Sequence, residues 1–257
     1  MKAMIFAAGL GTRLKPLTDT MPKALVPLAG KSLLQWQIER LRDAGIRDVV
    51  VNVHHFPDQI IDAVRQHQGW GCRVQISDER DQLLETGGGL RKAYLDGLLG
   101  DDEPILVCNV DILSNIDLQA LMAAYDKSLL GLLVVSSRET QRYLLFDDEL
   151  TLRGWTNRDT GEVRPATLEL NRSTRKHLLT LDSLAFSGMQ ILSPQIFKHM
   201  DRVVAEKGDR FSLIDLYLSL CETEVLRAYV PADYRMMDVG KIDQIAEAEQ
   251  FAESLNA

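Results

Sequence analysis

Short apolar runs alternate with helical patterns through the first half of the chain. The runs are rich in β-branched residues, which predicts strands at MKAMIFAA (1–8), DVVVNV (48–53), CRVQISD (72–78) and PILVCNV (104–110). Between them apolar residues recur every three or four positions, which predicts helices over 32–45, 57–68 and 88–99. The first of these has Ser32 as its predicted N-cap and Gly45 at its predicted end. Strand and helix in series predict a parallel sheet covered by helices.

The pattern changes from about residue 131 onward. Apolar runs are now joined by short polar turns, which predicts strands at LLVVSS, YLLFDD, LTLRGW and SLAFSGMQIL, with 147–149 as one hairpin connection. These strands are expected to add an antiparallel or mixed part to the sheet, and a last helix is predicted over 241–255. No repeat or linker-like tract marks a boundary, so one domain over 1–257 is expected.

Composition and charge exclude several classes of protein. The chain has 257 residues, of which 46% are hydrophobic, and no apolar stretch approaches the roughly 20 residues of a membrane span. The apolar run at the N-terminus is broken by glycine too early for a signal peptide, so a cytoplasmic protein is expected. Three scattered cysteines favour neither a zinc site nor a disulfide framework. The net charge of -8 disfavours nucleic acid and anionic membranes as partners, although local cations or a metal could still receive an anionic small molecule.

The loop after the first strand carries the first candidate chemistry. Its sequence Gly9-Leu10-Gly11-Thr12-Arg13-Leu14 lacks the Gly-Lys-Ser/Thr of a P-loop and the third glycine of a dinucleotide-binding loop. Two glycines let backbone N–H groups approach phosphate oxygens, and Arg13 and Lys23 could surround a polyphosphate with positive charge. The alternative is an ordinary glycine turn with two solvated basic residues. The glycine spacing alone does not decide between the two.

A longer segment around this loop has a specific resemblance. The sequence AAGLGTRLKPLTDTMPKALVPLAGKSLLQWQIERL resembles the N-terminal signature of the sugar-1-phosphate nucleotidylyltransferases, which is GxGTRLxPLT followed by PKxLxPxxGKPLL and a helix. The spacing is intact over some 35 residues, and Ser32 replaces the usual proline. The resemblance implies a three-layer αβα, Rossmann-like nucleotide-diphospho-sugar transferase fold with a mainly parallel mixed sheet. It also implies that Ala7, Ala8, Gly9, Leu10, Gly11 and Thr12 bind a nucleoside triphosphate.

A reaction between two phosphates needs a divalent cation, and Mg²⁺ takes one or two protein carboxylates. Asp111 ends the buried run ILVCNVD, where an open α/β sheet binds ligands, although a turn or capping role explains it equally well. Asp238 lies in the turn before the last helix, which by itself indicates only a helix entry. The family resemblance implies that Asp111 and Asp238 both hold Mg²⁺. Val110 departs from a usual glycine, and Met236 and Lys241 depart from the family's W-x-D-x-G-T turn.

Two further stretches concern the base and the sugar. The form L-E-T-G-G-G is similar to uridylyltransferases acting on N-acetylmuramic acid 1-phosphate and to mannose-1-phosphate guanylyltransferases, which favours UTP or GTP. The resemblance places the base near 85–88 and Asn109, and the sugar near Ser187 and Gly188. The nucleotide residues implied in the first of these stretches are Glu85, Thr86, Gly87 and Gly88. The Glu-Lys pair that grips the sugar phosphate in many members has no counterpart, and Trp155-Thr156-Asn157 stands there instead. Asn157 would then face the sugar, and Trp155 would either stack on it or belong to the core.

The implied reaction joins a nucleoside triphosphate and a sugar 1-phosphate to give a nucleotide sugar and pyrophosphate. Arg13 would neutralise the pyrophosphate, and Lys23 would bridge to the α-phosphate. Residues 1–130 would bind the nucleotide, 131–235 the sugar, and 236–257 would form the metal turn and last helix. The alternatives are a catalytically silent nucleotide or sugar sensor and a cytidylyltransferase acting on a non-sugar phosphate such as phosphocholine. No C-terminal acyltransferase repeat is expected, and the oligomeric state is left open.

Overall fold

The computed structural model describes residues 1–168 and 181–255. Its strands are β1 (Lys2–Phe6), β2 (Pro27–Leu28), β3 (Lys31–Ser32), β4 (Asp48–Val53), β5 (Arg73–Asp78), β6 (Ile105–Asn109), β7 (Ile112–Ser114), β8 (Gly131–Ser136), β9 (Arg142–Phe146), β10 (Leu152–Asn157), β11 (Val163–Arg164), β12 (Asp182–Leu192), β13 (Leu226–Tyr229) and β14 (Met236–Asp238). Its α-helices are α1 (Leu33–Asp43), α2 (Pro57–Gln66), α3 (Glu85–Leu95), α4 (Leu118–Ala124), α5 (Met200–Lys207), α6 (Leu213–Leu220) and α7 (Ile245–Leu255).

The central sheet is mixed, as the sequence predicts. Its order is β11-β10-β9-β12-β6-β1-β4-β5, and β8 pairs with both β12 and β13. The first 130 residues supply the parallel pairs of β1 with β4 and β6, and of β4 with β5. The long strand β12 runs antiparallel to β6, β8 and β9. Because β12 reverses direction between them, β6 and β8 point the same way, so their carboxyl ends lie at the same edge of the sheet.

Helices cover both faces of this sheet and make three layers. Along β1, Ala3 and Ile5 pack into one core and Met4 and Phe6 into the other, since side chains alternate between the faces of a strand. The first core is closed by α1, α2 and α7, and the second by α3, α5 and α6. The three-layer αβα architecture implied by the sequence is therefore confirmed.

Local signals in the sequence fix several helix ends. The hydroxyl of Ser32 accepts a hydrogen bond from the backbone N–H of Gln35 at 3.1 Å and caps α1, and Gly45 follows the helix with φ +91°. Helix α6 begins with a capping box in which Ser212 and Asp215 satisfy each other's backbone N–H groups. Asp215 also accepts from the ammonium of Lys207 at 2.7 Å. No helix within the described residues is long and apolar enough to span a bilayer.

The third predicted helix differs from the observed one. The sequence places its start at residue 88, within the triple glycine, whereas α3 runs from Glu85 to Leu95 and contains all three glycines. The prediction was wrong because glycine has low helix propensity in isolation. Here tertiary packing overrides that propensity: the N–H groups of Gly87 and Gly88 both donate to the carbonyl of Phe211, at 2.9 and 3.1 Å.

Candidate functional site

A cleft of about 580 Å³ opens at the carboxyl ends of β1, β4 and β6. This is the edge at which open α/β sheets bind ligands. It brings together most of the residues that the sequence singles out, although they come from distant parts of the chain. Those lining it are residues 7–13, Lys23, Glu85, Thr86, Asn109 and Asp111.

The loop after β1 exposes backbone donors to this cleft. Gly11 has a left-handed conformation, with φ +65°, and an added Cβ would lie 2.8 Å from the side chain of Thr18. The Thr18 hydroxyl donates to the carbonyl of Gly11 at 2.8 Å, which fixes the turn. Among the described residues, no hydrogen bond is made by the N–H groups of Gly9, Leu10 or Gly11. A concave row of unpaired N–H groups of this kind receives anions.

Lys23 reaches the floor of the same cleft. It begins a 3₁₀ turn over Lys23–Leu25, and its side chain is only 10% exposed. Its ammonium forms an ion pair and hydrogen bond with a carboxylate oxygen of Asp111, just beyond β6. The ion pair with Asp111 offsets the cost of burying this ammonium, and a cation that lines a cleft attracts an anionic ligand.

Asp238 is brought beside Asp111 by a small antiparallel ladder. Strand β14 pairs with β7 so that Asp238 lies opposite Ile112, and the N–H of Val239 donates to the carbonyl of Asp111 at 2.8 Å. The pKa of Asp238 is raised, first because burial removes water from its carboxyl and then because the negative charge of Asp111 is close. Arg13 is exposed, and a nitrogen of its guanidinium lies 3.9 Å from a carboxylate oxygen of Asp238. The guanidinium also packs against Gly240.

The two carboxylates fit a magnesium ion in their chemistry. Both offer hard oxygen ligands, and the β7–β14 ladder holds them next to each other beside two cations, Lys23 and Arg13, that could exchange them for other partners. Across residues 1–168 and 181–255 there is no cluster of three or more side chains of the types that ligate metals. Magnesium needs only one or two protein carboxylates, because phosphates and water supply its other ligands.

Sequence reasoning missed a buried polar pair behind the loop that follows β1. The side-chain oxygen of Asn52 accepts from the N–H of Ala7 at 2.7 Å, and its amide nitrogen donates to Glu79 at 2.7 Å. The other carboxylate oxygen of Glu79 accepts from the N–H of Leu84 at 3.2 Å. Burial raises the pKa of Glu79, although these hydrogen bonds oppose the shift. A polar residue near the end of the apolar strand DVVVNV was the available signal for Asn52, whereas Arg210 and Ser212 line the cleft without any local signal.

The glycines of α3 lie behind the cleft rather than in its lining. Glu85 and Thr86 line it, whereas Gly87 and Gly88 are buried and do not. A Cβ on Gly87 would lie 2.4 Å from the ring of Phe211, and one on Gly88 would lie 2.2 Å from the carbonyl oxygen of Asp209. Their absent side chains therefore let the start of α3 approach the segment before α6.

The predicted sugar residues are placed in two groups. Gly188 has φ +67° at a register shift in β12 and packs against Asn109, and the adjacent Ser187 is 1% exposed with an unpaired hydroxyl. Asn157 ends β10 and accepts from the N–H of Asp159. Trp155 is 7% exposed in the core, with the guanidinium of Arg164 4.2 Å from its ring, so the core alternative holds for it. Three basic residues of the sequence, Arg172, Arg175 and Lys176, could also receive the sugar phosphate by their charge, but they lie outside the described residues.

Comparisons with known proteins find relatives of this chain by sequence and by fold. Residues 2–143 match the nucleotidyl transferase family. An N-acetylmuramate alpha-1-phosphate uridylyltransferase of Caulobacter vibrioides is 38% identical over 63% of this chain and 70% of its own length. One of Neisseria meningitidis is 45% identical over 47% of this chain and 51% of its own length. The crystal structure of HddC from Yersinia pseudotuberculosis complexed with GMP-PN is 22% identical, with a TM-score of 0.72 over 98% of this chain and 99% of that one, which is a likeness of fold.

Proposed function

The chain belongs to the nucleotidyl transferase family, and we propose that it transfers a nucleotidyl group from a nucleoside triphosphate to a sugar 1-phosphate. The observation that carries the proposal is the meeting of the glycine loop, Lys23 and Asp111 in one cleft, with Asp238 beside Asp111 at its border. A cleft with two cations, one carboxylate inside it and a second carboxylate next to that one suits a reaction between two phosphates. We assign residues 1–130 to the nucleotide, 131–235 to the sugar and 236–257 to the metal turn and last helix.

The reaction is a direct displacement. An oxygen of the sugar phosphate attacks the α-phosphorus, the bond from that phosphorus to the bridging oxygen breaks, and pyrophosphate leaves with the bond's electrons. The protein positions the two phosphates and stabilises the charge that develops. The N–H groups of Gly9, Leu10 and Gly11 hold the triphosphate, Lys23 faces the α-phosphate and Arg13 the departing pyrophosphate.

Asp111 and Asp238 would hold Mg²⁺. When bound, the ion supplies positive charge that lets two phosphates approach each other. With Asp111 as a metal ligand, Lys23, which is now paired with Asp111, would face the substrate phosphate. The ion pair between them therefore keeps both groups in place before substrate arrives.

The likeness to two N-acetylmuramate alpha-1-phosphate uridylyltransferases makes UTP and N-acetylmuramic acid 1-phosphate the first pair to test. The other nucleotide that the L-E-T-G-G-G form favours is GTP, with mannose 1-phosphate. Glu85 and Thr86 line the cleft at the start of α3 and are the proposed contacts to the base. Ser187, Gly188 and Asn157 are the proposed contacts to the sugar.

The test is a matrix of UTP and GTP against N-acetylmuramic acid, mannose and glucose 1-phosphates, with Mg²⁺ and with a chelator. Pyrophosphate release and nucleotide-sugar formation are both measured. We expect equal amounts of the two products from at least one pair, only with Mg²⁺. Absence of product from every pair would favour the silent sensor, and pyrophosphate formed without a sugar 1-phosphate would indicate a hydrolase.

A further inference from the structure

A second cleft, of about 860 Å³, adjoins the first one where Arg13 and Asp238 lie. Arg13 lines both clefts, and the turn that carries Asp238 and Gly240 separates them. The second cleft is bounded by the segment after β8, by β9 and by the turn before α7. The second cleft lies beside Asp238, the predicted metal ligand, on the other side of its turn from the glycine loop. A second substrate must bring its phosphate to this place.

The second cleft is rich in basic side chains. Four cations line it, Arg13, Arg138, Arg158 and Lys241, and Arg158 lies 4.2 Å from the ring of Tyr143. Three carboxylates line it as well, those of Glu139, Asp238 and Glu247. If Asp238 binds a metal, the positive charge of the cleft exceeds the negative charge, which suits an anionic ligand.

Arg138 has the position that a phosphate-binding group requires. It stands two residues beyond the end of β8, which points the same way as β6, so Arg138 and Asp111 lie at the same edge of the sheet. Its side chain is exposed. In the described part of the chain its guanidinium has no carboxylate within ion-pair distance. Its one hydrogen bond there is to the carbonyl of Phe186, at 3.1 Å.

The hydrogen bond to Phe186 also holds Arg138 against β12, the strand that carries the predicted sugar residues Ser187 and Gly188. Phe186 precedes Ser187 and Gly188, where the register between β12 and β8 shifts before pairing resumes at Gln190. The guanidinium therefore contacts the strand that carries the predicted sugar residues and lines the same cleft as Asp238. In a sugar 1-phosphate the phosphate is attached directly to the ring, so a group that binds the phosphate must stand next to the sugar contacts.

We propose that Arg138 binds the phosphate of the incoming sugar 1-phosphate. The inference rests on the proposed function and names the group that replaces the Glu-Lys pair missing from this sequence. The planar guanidinium can give two parallel N–H donors to one phosphate while another of its five N–H groups keeps the Phe186 contact. Arg138 thus determines affinity for the sugar phosphate and does not contact the nucleotide.

The test compares Arg138→Ala and Arg138→Lys with Arg142→Ala. Arg142 is the matched control, because it is an exposed arginine at the start of β9 that does not line the second cleft. Each substrate is varied at saturation of the other, with pyrophosphate release as the readout. We expect Arg138→Ala to raise KM for the sugar 1-phosphate at least tenfold and to leave KM for the triphosphate within twofold. Arg138→Lys should fall between, and Arg142→Ala should match the wild type.

Equilibrium binding of N-acetylmuramic acid, mannose and glucose 1-phosphates, measured by calorimetry, separates this inference from the proposed function. Turnover with an unchanged KM for sugar 1-phosphate in Arg138→Ala overturns the inference alone. Binding by the wild type without turnover contradicts the proposed function, and loss of that binding in Arg138→Ala still supports the inference. If the wild type binds none of the three, or if Arg138→Ala raises both KM values equally, the inference is overturned.

Discussion

Replacing Gly88 by alanine should destabilise the protein, because the start of α3 lies directly against the segment before α6. The new Cβ would lie 2.2 Å from the carbonyl oxygen of Asp209, whereas carbon and carbonyl oxygen normally approach to about 3.3 Å. The backbone must therefore move by about 1 Å. That movement disturbs the two hydrogen bonds from the N–H groups of Gly87 and Gly88 to the carbonyl of Phe211.

These contributions give the size of the effect. Overpacking costs roughly 1–3 kcal/mol, and each weakened hydrogen bond costs about 1 kcal/mol. Alanine recovers about 1 kcal/mol through its higher helix propensity. We therefore expect Gly88→Ala to lower the free energy of unfolding by about 3 kcal/mol, and Tm by roughly 6–12 °C for a chain of this size.

Urea and thermal unfolding followed by circular dichroism measure this change. Gly100→Ala is the control, because nothing lies within 4 Å of its added Cβ, and its stability should stay within about 0.5 kcal/mol of the wild type. An unfolding midpoint of Gly88→Ala equal to that of the wild type would refute the described contact. The variant should also raise KM for the triphosphate, since Glu85 and Thr86 in the same helical turn line the first cleft, which is the proposed nucleotide site.

Three further substitutions test other contacts. Lys23→Ala should lower kcat/KM by about 100-fold or more, as expected for loss of one preorganised donor. The control is Lys15→Ala, which removes an exposed ammonium and should leave kcat/KM unchanged. Near-normal turnover of the Lys23 variant would exclude the proposed role of Lys23. Asn52→Ala removes the acceptor for the N–H of Ala7, just before the glycine loop. KM for the triphosphate should therefore rise about tenfold, with KM for the sugar 1-phosphate unchanged. An equal rise in both KM values would show a general loss of structure. Burial opposes the ionisation of Asp215, but hydrogen bonds from Lys207 and the capping box outweigh it and hold its pKa below the usual range. A lowered pKa in the folded state stabilises the protein above the unfolded pKa of about 4 and ceases to do so as pH falls through the folded value. Asp215→Asn should therefore be less stable than the wild type at neutral pH in urea unfolding, with the difference shrinking below about pH 4; a constant difference would contradict the shift.

The strands could be predicted because their signal is local. DVVVNV is predicted over 48–53 and forms β4 over Asp48–Val53, since a strand buried on both faces has an unbroken apolar sequence. Helix α3 could not be predicted at its start. The contacts that favour glycine there come from Asp209 and Phe211, more than a hundred residues away, and no local pattern encodes them.

The cleft shows the same division between local and distant information. The glycine loop and Lys23 belong to one continuous segment, so their spacing is visible in the sequence. Asn52 and Glu79 support that loop from two other strands, and each by itself is an ordinary polar residue near a strand end. Their role depends on hydrogen-bond partners that only the folded chain brings within reach.

The pairing of β7 with β14 explains how two distant aspartates can form one site. Asp238 is the last residue of β14 and Asp111 immediately precedes β7, and the hydrogen bond from the N–H of Val239 to the carbonyl of Asp111 joins the two turns through backbone atoms. Because backbone atoms hold the two turns together, neither aspartate needs a carboxylate oxygen for that purpose. The carboxylates remain free to exchange Lys23 and Arg13 for other charged partners. The ladder therefore permits Met236 and Lys241 to depart from the family turn, because its geometry depends on main-chain atoms rather than on those side chains.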